Sequence, residues 1–215
     1  MNIQDRYQGA LLGLAAGDAL GTTLEFSKPG TFEPITDMVG GGPFGLKPGQ
    51  WTDDTSMALC LAESLVEKQG FDARDQMERY VLWYRDGYLS SKGSCFDIGN
   101  TVSGALQKFE LTRDPYAGNT GLFYGGNGSL MRLAPVPLAF SREPEKAIRL
   151  AGESSKTTHG SEDTVDACRY YAGLIVGATT GQGKENLLSG CYSPADGKWP
   201  KGAVSPKIET VAAGS

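Results

Sequence analysis

Apolar residues recur at helical spacing through most of the chain, whereas the alternating pattern typical of strands is nearly absent. After Trp51, for example, Met57, Leu61 and Leu65 are spaced as one face of an amphipathic helix. The segments between such stretches are long and rich in glycine, so the pattern predicts an all-α fold with functional residues on the loops. The predicted helices are Ile3–Ala19, Asp54–Lys68, Asp72–Arg85, Asn100–Lys108, Pro144–Ser155 and Ser161–Ala178.

Several helix ends carry recognisable capping residues. Asp72 and Ser161 are the expected N-caps of the helices that follow them, and Gly70 and Gly87 are expected to stop the helices that precede them. Beyond Gly181 the chain contains much Gly, Pro, Lys and Ser, with few spaced apolar residues. We therefore expect this last segment to leave faces of the preceding helices uncovered.

Composition narrows the classes of function. At 215 residues the chain can bury one sizeable core, so we expect a single domain over 1–215. A net charge of −5 and scattered basic residues argue against general nucleic-acid binding. No uncharged segment is long enough to span a bilayer and the N-terminus lacks a signal-peptide pattern, so a cytoplasmic protein without membrane binding is expected. Cys60 and Cys168 fall in helical patterns and are interpreted as buried thiols, with a disulfide as the alternative.

The segment Trp51–Thr55 carries the strongest chemical signal, because Asp53 and Asp54 crowd two negative charges at the start of a helix. A divalent cation makes such crowding tolerable, and Thr52, Asp53 and Asp54 offer the hard oxygen ligands that suit Mg²⁺ or Mn²⁺. The alternative is that Thr52 or Asp53 only caps the helix, where acidic residues also suit the helix dipole. From this segment alone both interpretations remain open.

Two further glycine-rich segments carry weaker signals. Gly13–Gly21 ends a helix with small residues that permit close approach, and Glu25 follows as a candidate mobile carboxylate or a merely solvated one. Gly125–Arg132 leads into a predicted short helix and offers backbone N–H groups that can cradle a phosphate. A glycine-rich turn without a ligand is the alternative, and the segment lacks the Gly-Lys-Ser/Thr of a Walker loop.

Taken together in this order, these segments resemble the ADP-ribosylglycohydrolase family, which includes the dinitrogenase-reductase-activating glycohydrolases. The resemblance also covers Cys95–Thr101 and Thr158–Gly160 and runs through nearly the whole chain. It implies an orthogonal helical array with a metal-floored cleft, and hydrolysis of an N- or O-glycosidic bond to ADP-ribose on a protein or small molecule. The implied cofactor is Mg²⁺ or Mn²⁺, two ions in the family.

The resemblance also assigns roles to residues. It implies Thr52, Asp53 and Asp54 as metal ligands, and Glu25 and Asp97 as the carboxylates that handle the proton, although Asp97 can alternatively cap the helix after it. The implied contacts to ADP-ribose are Gly99, Asn100, Gly126, Asn127, Gly128, Ser129 and His159.

Further predictions concern one arginine, the histidine and four aromatic residues. Arg132 is expected to form a structural ion pair rather than a phosphate clamp. His159 is the only histidine, which argues against a zinc site built on histidines. Phe44, Trp51, Phe123 and Tyr124 are candidates for the acceptor side of the cleft.

One departure from the family pattern matters. Members of the family close the metal site with a late Gly-Asp-x-Asp-Thr motif, which this chain lacks, and Glu162–Thr164 is interpreted as an ordinary acidic helix start. We therefore expect half of a metal site, holding one ion instead of two, in a C-terminally truncated domain. Two alternatives to the enzyme remain: a non-catalytic ADP-ribose binder, and an interaction protein whose uncovered helices recruit a partner.

Overall fold

The computed structural model describes residues 2–121, 124–195, 197–199 and 202–214, and helices dominate it. The only strands in these ranges form a two-residue antiparallel hairpin, in which Tyr192 pairs with Lys198 and Ser193 with Gly197. The all-α prediction is confirmed. The helices are α1 (Ile3–Gly21), α2 (Asp53–Glu67), α3 (Ala73–Asp86), α4 (Asn100–Thr112), α5 (Pro135–Ala139), α6 (Pro144–Lys156), α7 (Glu162–Thr180), α8 (Lys184–Leu187) and α9 (Pro206–Ala212), with β1 at Tyr192–Ser193, β2 at Gly197–Lys198 and a short 3-10 turn at Thr22–Leu24.

Most predicted caps have the expected role. The Asp72 carboxylate accepts hydrogen bonds from the first backbone N–H groups of α3, and Gly87 ends that helix in the left-handed conformation. At the end of α2 the left-handed residue is Gln69, with φ 52°, so Gly70 is not the residue that reverses the chain there. Ser161 precedes α7 as expected, but its hydroxyl contacts that of Thr164 instead of the helix backbone.

The core lies where α2, α3 and α4 meet α5, α6 and α7. Helices α6 and α7 pack along each other, while α5 lies against α2, α6 and α7. Burial of large apolar side chains in this core supplies the main stabilisation of the fold. The largest apolar ones with almost no exposed surface are Trp83, Tyr80, Phe109, Met57, Leu61, Met77, Leu106 and Leu133.

The C-terminal segment covers α7, so the prediction that it leaves the preceding helices bare is wrong for that helix. The Ser205 backbone N–H donates to Asp166 Oδ2 at 2.8 Å, and the Ser205 hydroxyl donates to Asp163 Oδ1 at 2.7 Å. Val204 and Ile208 are buried beside these contacts. Helix α1, in contrast, has Ala19 as its one buried residue among those described, and it exposes several leucines.

The predicted state of Cys60 and Cys168 is confirmed, because both thiols are free and buried. Cys95 and Cys191 are free and partly buried. In the described part of the chain, none of the helices has both the length and the apolar character that a bilayer crossing requires.

Candidate functional site

The end of α1 meets the start of α2, and Asp18 joins them. Its carboxylate accepts hydrogen bonds from the backbone N–H groups of Thr52 and Thr55, at 3.0 and 3.1 Å. It also accepts from both hydroxyls, Thr52 Oγ1 at 2.8 Å and Thr55 Oγ1 at 2.6 Å. Asp18 therefore satisfies two N–H groups at the start of α2, those of Thr52 and Thr55, from a distant helix. Thr52 occupies the N-cap position, yet its side chain makes no hydrogen bond to the helix backbone.

A cleft of about 800 Å³ opens beside this junction. Every residue predicted as a metal ligand, proton carrier or ADP-ribose contact lines the cleft except Ser129, whereas the acceptor-side candidates Phe44, Trp51 and Tyr124 are not in its lining. Asp18 and Phe26 also line it, although the sequence prediction did not assign them to the site. Both lie next to segments that the sequence did single out, the Gly13–Gly21 stretch and Glu25. The predicted residues in the lining are Glu25, Thr52, Asp53, Asp54, Asp97, Gly99, Asn100, Gly126, Asn127, Gly128 and His159.

The cleft is strongly acidic. Five carboxylates line it, and no lysine or arginine does so in the described ranges. Burial, together with the charges of Asp54 and Asp97, raises the pKa of Asp53 to about 9. Burial and the charge of Asp18 raise the pKa of Asp54 to about 6. These carboxylates therefore repel one another and lack a cation from the described chain.

Asp97 and Glu25 form a second carboxylate pair in the lining of the cleft. Burial and the nearby Glu25 raise the pKa of Asp97 to about 7, which suits a group that exchanges protons near neutral pH. Asp97 has φ 58°, a left-handed conformation that is uncommon for residues other than glycine. The alternative role of Asp97 as a cap is wrong, because Gly99 is the N-cap residue of α4 and no backbone N–H of that helix donates to Asp97.

The glycine-rich segment forms a turn over the cleft and not the predicted short helix. The Asn127 carbonyl accepts from the N–H groups of Leu130 and Met131, and the next helix starts only at Pro135. From Gly126 to Ser129, the backbone N–H groups have no hydrogen-bond partner among the described residues. Consecutive free N–H groups in a turn form a site suited to an anion such as a phosphate.

Ser129 lies on the buried side of this turn. Its hydroxyl accepts a hydrogen bond from Ser155 Oγ at 2.9 Å and is 3.4 Å from Cys168 Sγ. The side chain therefore faces the core, and only the backbone N–H of Ser129 belongs to the free row above. The sequence prediction did not anticipate this orientation, since serine in a glycine-rich loop usually faces solvent.

Arg132 is fully buried and has no ion pair with any described residue, so the prediction of an ion pair is wrong. Its guanidinium instead donates to the Gly128 carbonyl at 3.2 Å and to Thr158 Oγ1 at 2.8 Å. The guanidinium carbon also lies 4.6 Å from the centre of the Tyr80 ring. Arg132 does not line the cleft, in agreement with the prediction that it is no phosphate clamp.

His159 closes the cleft below the glycine-rich turn and is 1% exposed. Burial and the charge of Arg132 lower the pKa of His159 to about 3, so its imidazole is neutral. The ring packs directly against Gly128, where an added Cβ would lie 2.8 Å from His159 Cε1. Only glycine fits this close approach.

Phe26, next to Glu25, lines the cleft, and two further phenylalanine rings pack in sequence behind it. Phe26 is 79% exposed, and its ring centre lies 6.5 Å from that of Phe44 in an edge-to-face arrangement. Phe44 in turn packs on Phe96 at 5.5 Å, and Lys92 Nζ lies 4.9 Å from the Phe96 ring centre. Phe26, Phe44 and Phe96 are called the aromatic rim below. The predicted candidate Phe123 lies outside the described residues.

The donor types at the floor of the cleft fit a hard divalent cation, because Thr52, Asp53 and Asp54 offer only oxygen atoms. Among the residues that the structure describes, however, no three His, Cys, Asp or Glu side chains are arranged around one metal position. The described chain thus fits a divalent ion by chemistry but supplies an incomplete set of ligands.

Comparison with known proteins identifies the family to which the chain belongs. The family model for ADP-ribosylglycohydrolase matches residues 1–213. The ADP-ribosylarginine hydrolases Tri1 of Pseudomonas putida and Serratia proteamaculans are 44% and 41% identical to the chain over 185 residues, covering 86% of the chain and 50% of each relative. The ADP-ribosyl-[dinitrogen reductase] glycohydrolase of Rhodospirillum rubrum is 34% identical over 189 residues, covering 85% of the chain and 60% of that protein.

A solved structure gives the same result. The chain superimposes on an ADP-ribosylglycohydrolase-related protein complex with a TM-score of 0.77 and 46% identity, covering 87% of the chain and 61% of that structure's chain. The chain spans about half the length of the curated Tri1 relatives it matches. Given the helical architecture, the acidic cleft under a glycine-rich turn and these matches, the chain belongs to the ADP-ribosylglycohydrolase family.

Proposed function

We propose that this protein hydrolyses the glycosidic bond between ADP-ribose and a modified arginine side chain, with the help of a divalent cation. The observation that carries the proposal is the juxtaposition, in one cleft, of five carboxylates with a row of free backbone N–H groups. The first group suits a cation and a ribose, and the second suits a pyrophosphate. Both are needed to hold ADP-ribose.

The glycine-rich turn is the proposed site of the pyrophosphate. Gly126, Asn127 and Gly128 have free N–H groups and line a cleft that has no basic side chain in the described ranges. Backbone donors therefore replace the usual Arg or Lys clamp. Gly99 and Asn100 line the cleft at the start of α4 and are the proposed contacts to a ribose.

Thr52, Asp53 and Asp54 are the residues that would hold Mg²⁺ or Mn²⁺. When bound, the ion would orient ribose hydroxyls and lower the pKa of a water molecule. Burial and neighbouring carboxylates disfavour the ionised form of both aspartates, and a bound cation would favour it. Because the described ligand set is incomplete, water, substrate oxygens or further protein ligands would complete the coordination.

Glu25 and Asp97 are the proposed proton carriers. Cleavage at an anomeric carbon passes through a positively charged, oxocarbenium-like state, which nearby carboxylates stabilise. A group with a pKa near 7, as for Asp97, can take a proton from the attacking water and give one to the leaving group. The pair lines the same cleft as the aspartates proposed to bind the metal.

An arginine linkage is favoured by two independent points. The named relatives at 41% and 44% identity are ADP-ribosylarginine hydrolases. In addition, the acceptor side of the cleft is acidic and bears the aromatic rim, a combination that suits a planar guanidinium.

The second candidate is a binder of ADP-ribose that does not cleave it, favoured by the incomplete ligand set. The test is release of ADP-ribose from arginine-linked and serine-linked peptides, with Mg²⁺, Mn²⁺ or EDTA. Release from the arginine peptide that EDTA abolishes supports the hydrolase. Binding of free ADP-ribose without release from either peptide would establish the binder instead.

A matched pair of variants separates the metal site from general loss of charge. Asp53→Asn removes a proposed ligand, whereas Asp86→Asn removes an exposed carboxylate at the end of α3, outside the cleft. We expect only Asp53→Asn to abolish Mg²⁺-dependent release. Equal activity of the two variants at saturating Mg²⁺ would contradict the assignment of Asp53.

A further inference from the structure

The buried contacts of Arg132 connect three segments that frame the cleft. One nitrogen, Nη1, donates to the Gly128 carbonyl of the glycine-rich turn. The other, Nη2, donates to the Ser154 carbonyl and Thr157 Oγ1 at the end of α6, and to Thr158 Oγ1 just before His159. Each contact is buried, so these hydrogen bonds are shielded from water. One guanidinium thus fixes the turn relative to the histidine that packs on it.

Thr158 passes this arrangement on to His159. A guanidinium can only donate, so Thr158 Oγ1 accepts from Arg132 at 2.8 Å. The same hydroxyl lies 2.9 Å from His159 Nδ1 and contacts no other described side chain or backbone group. The single hydroxyl proton of Thr158 therefore has one available acceptor, Nδ1.

The opposite arrangement leaves a group unsatisfied. If Nδ1 carried a proton and donated it to Thr158, the threonine proton would be buried without an acceptor among the described residues. It would also place an N–H dipole with its positive end toward the buried guanidinium of Arg132. Both effects favour an unprotonated Nδ1.

We infer that Arg132 and Thr158 are positioning residues that hold His159 in the Nε2–H tautomer, so that a neutral N–H donor faces the cleft beside Gly126 and Gly128. No described residue accepts a hydrogen bond from Nε2, which leaves this donor for a ligand oxygen. The identity of the ligand, an oxygen of ADP-ribose, rests on the proposed function. The tautomer of His159 does not.

The tautomer can be measured directly because His159 is the only histidine. The full chain, labelled with ¹⁵N and carrying no histidine tag, is examined by long-range ¹H–¹⁵N correlation of the imidazole at pH 7.5. We expect a protonated Nε2 and an unprotonated Nδ1 in the wild type. A protonated Nδ1 in the wild type would overturn the inference.

Three variants test the role of the hydroxyl. Thr158→Val removes it, and we expect Nδ1–H to become populated; Thr158→Ser keeps the hydroxyl and is expected to restore the wild-type spectrum. Thr157→Val is the matched control, because it removes a neighbouring buried hydroxyl that also accepts from Arg132 but does not contact His159. An unchanged tautomer in Thr158→Val, or the same change of tautomer in Thr157→Val, would contradict the role of the Thr158 hydroxyl. If Thr158→Val does not fold, Thr158→Ala takes its place, and the wild-type spectrum still decides the tautomer.

Binding of ADP-ribose in Mg²⁺, measured by calorimetry, tests the ligand part. Loss of one oriented donor is expected to raise the Kd of Thr158→Val about tenfold, with Thr158→Ser and Thr157→Val close to wild type. An unchanged Kd in Thr158→Val overturns the ligand contact. Wild-type protein that binds no ADP-ribose would refute the proposed function and the ligand contact together, while the spectrum decides the tautomer independently.

Discussion

Asp18 Oδ2 lies 2.6 Å from Thr55 Oγ1, although 37 positions separate the two residues. Together with the contacts to Thr52, this hydrogen bond makes a side chain of α1 the cap of α2. The same cap fixes the backbone that carries Asp53 and Asp54. The position of the proposed metal ligands therefore depends on a residue that belongs to another helix.

Asp18→Ala is expected to lower both stability and ligand binding. It leaves two backbone N–H groups and two hydroxyls without their acceptor, at a cost of about 2 kcal/mol in the free energy of unfolding. Binding of Mg²⁺ should weaken more than tenfold because Asp53 and Asp54 lose their fixed orientation. Urea denaturation and calorimetry measure the two effects.

Asp72→Ala is the control for this prediction, since the Asp72 carboxylate also caps a helix, as the residue directly before α3, but lies outside the cleft. It should cost about 1 kcal/mol of stability and leave Mg²⁺ affinity unchanged. Equal losses of affinity in the two variants would show that Asp18 acts through stability alone.

Asp53→Asn is expected to stabilise the metal-free protein. A carboxyl whose pKa is raised from 3.8 to about 9 contributes stability below pH 3.8, and this contribution is lost as the pH rises toward 9. In EDTA at pH 8 the variant should therefore gain about 1 kcal/mol, or about 2–4 °C in Tm. Added Mg²⁺ should raise the Tm of the wild type but not that of the variant. A variant that is less stable than the wild type in EDTA would refute this account.

His159 makes stability fall in acid. Its pKa drops from 6.5 in the unfolded chain to about 3 in the folded protein, so only the unfolded state takes up a proton between these values. The stability of the wild type relative to His159→Gln should decrease by roughly 1.5 kcal/mol between pH 6.5 and 5. Urea denaturation at both pH values, with EDTA present, gives this difference; parallel curves would contradict it.

Gly128→Ala tests the close packing of the glycine-rich turn. A Cβ there would lie 2.8 Å from His159 Cε1 and 3.0 Å from Val102 Cγ2, so the turn or the ring must move. We expect ADP-ribose affinity to fall at least tenfold. Gly104→Ala, in the interior of α4 with open space around its Cα, should leave affinity unchanged and raise stability by up to about 1 kcal/mol.

Phe26→Ala tests the choice of acceptor. Loss of an exposed ring that can stack on a guanidinium should lower kcat/KM for ADP-ribosylarginine about fivefold, with a smaller effect on ADP-ribosylserine. Leu111→Ala removes an exposed apolar side chain of α4, outside the cleft, and should change kcat/KM for neither substrate. Equal losses on both substrates in Phe26→Ala would remove the rim from the acceptor site.

Periodicity predicts the long helices well because their apolar faces pack on the core. Helix α2 was expected at Asp54–Lys68 and spans Asp53–Glu67. Periodicity does not predict α5, because Pro135 and Pro137 resemble breaks in a helical pattern. Proline is nevertheless well tolerated in the first turn of a helix. The hairpin near Tyr192 is not predicted either, because its two-residue strands are too short to show a pattern.

The site residues likewise fall into those that the local sequence predicts and those that only tertiary packing reveals. Asp53, Asp54 and Asp97 are predictable from local motifs and line the cleft together. The roles of Asp18 and Arg132 are not, because each depends on partners brought close only by tertiary packing. Charge type and spacing thus predict which groups do chemistry, whereas the groups that orient them require the fold.

The weak burial of α1 has a consequence for local unfolding. Ala19 is its one buried residue in the described chain, so polar contacts do much to hold this helix to the rest of the molecule: Asp18 to the start of α2, Arg6 to the Thr179 carbonyl and Tyr7 to Ser141. Detachment of α1 would then uncap α2 and release the aspartates at the same moment. Amide hydrogen exchange in α1 should therefore slow when the cleft is loaded, which makes the first helix a reporter of occupancy.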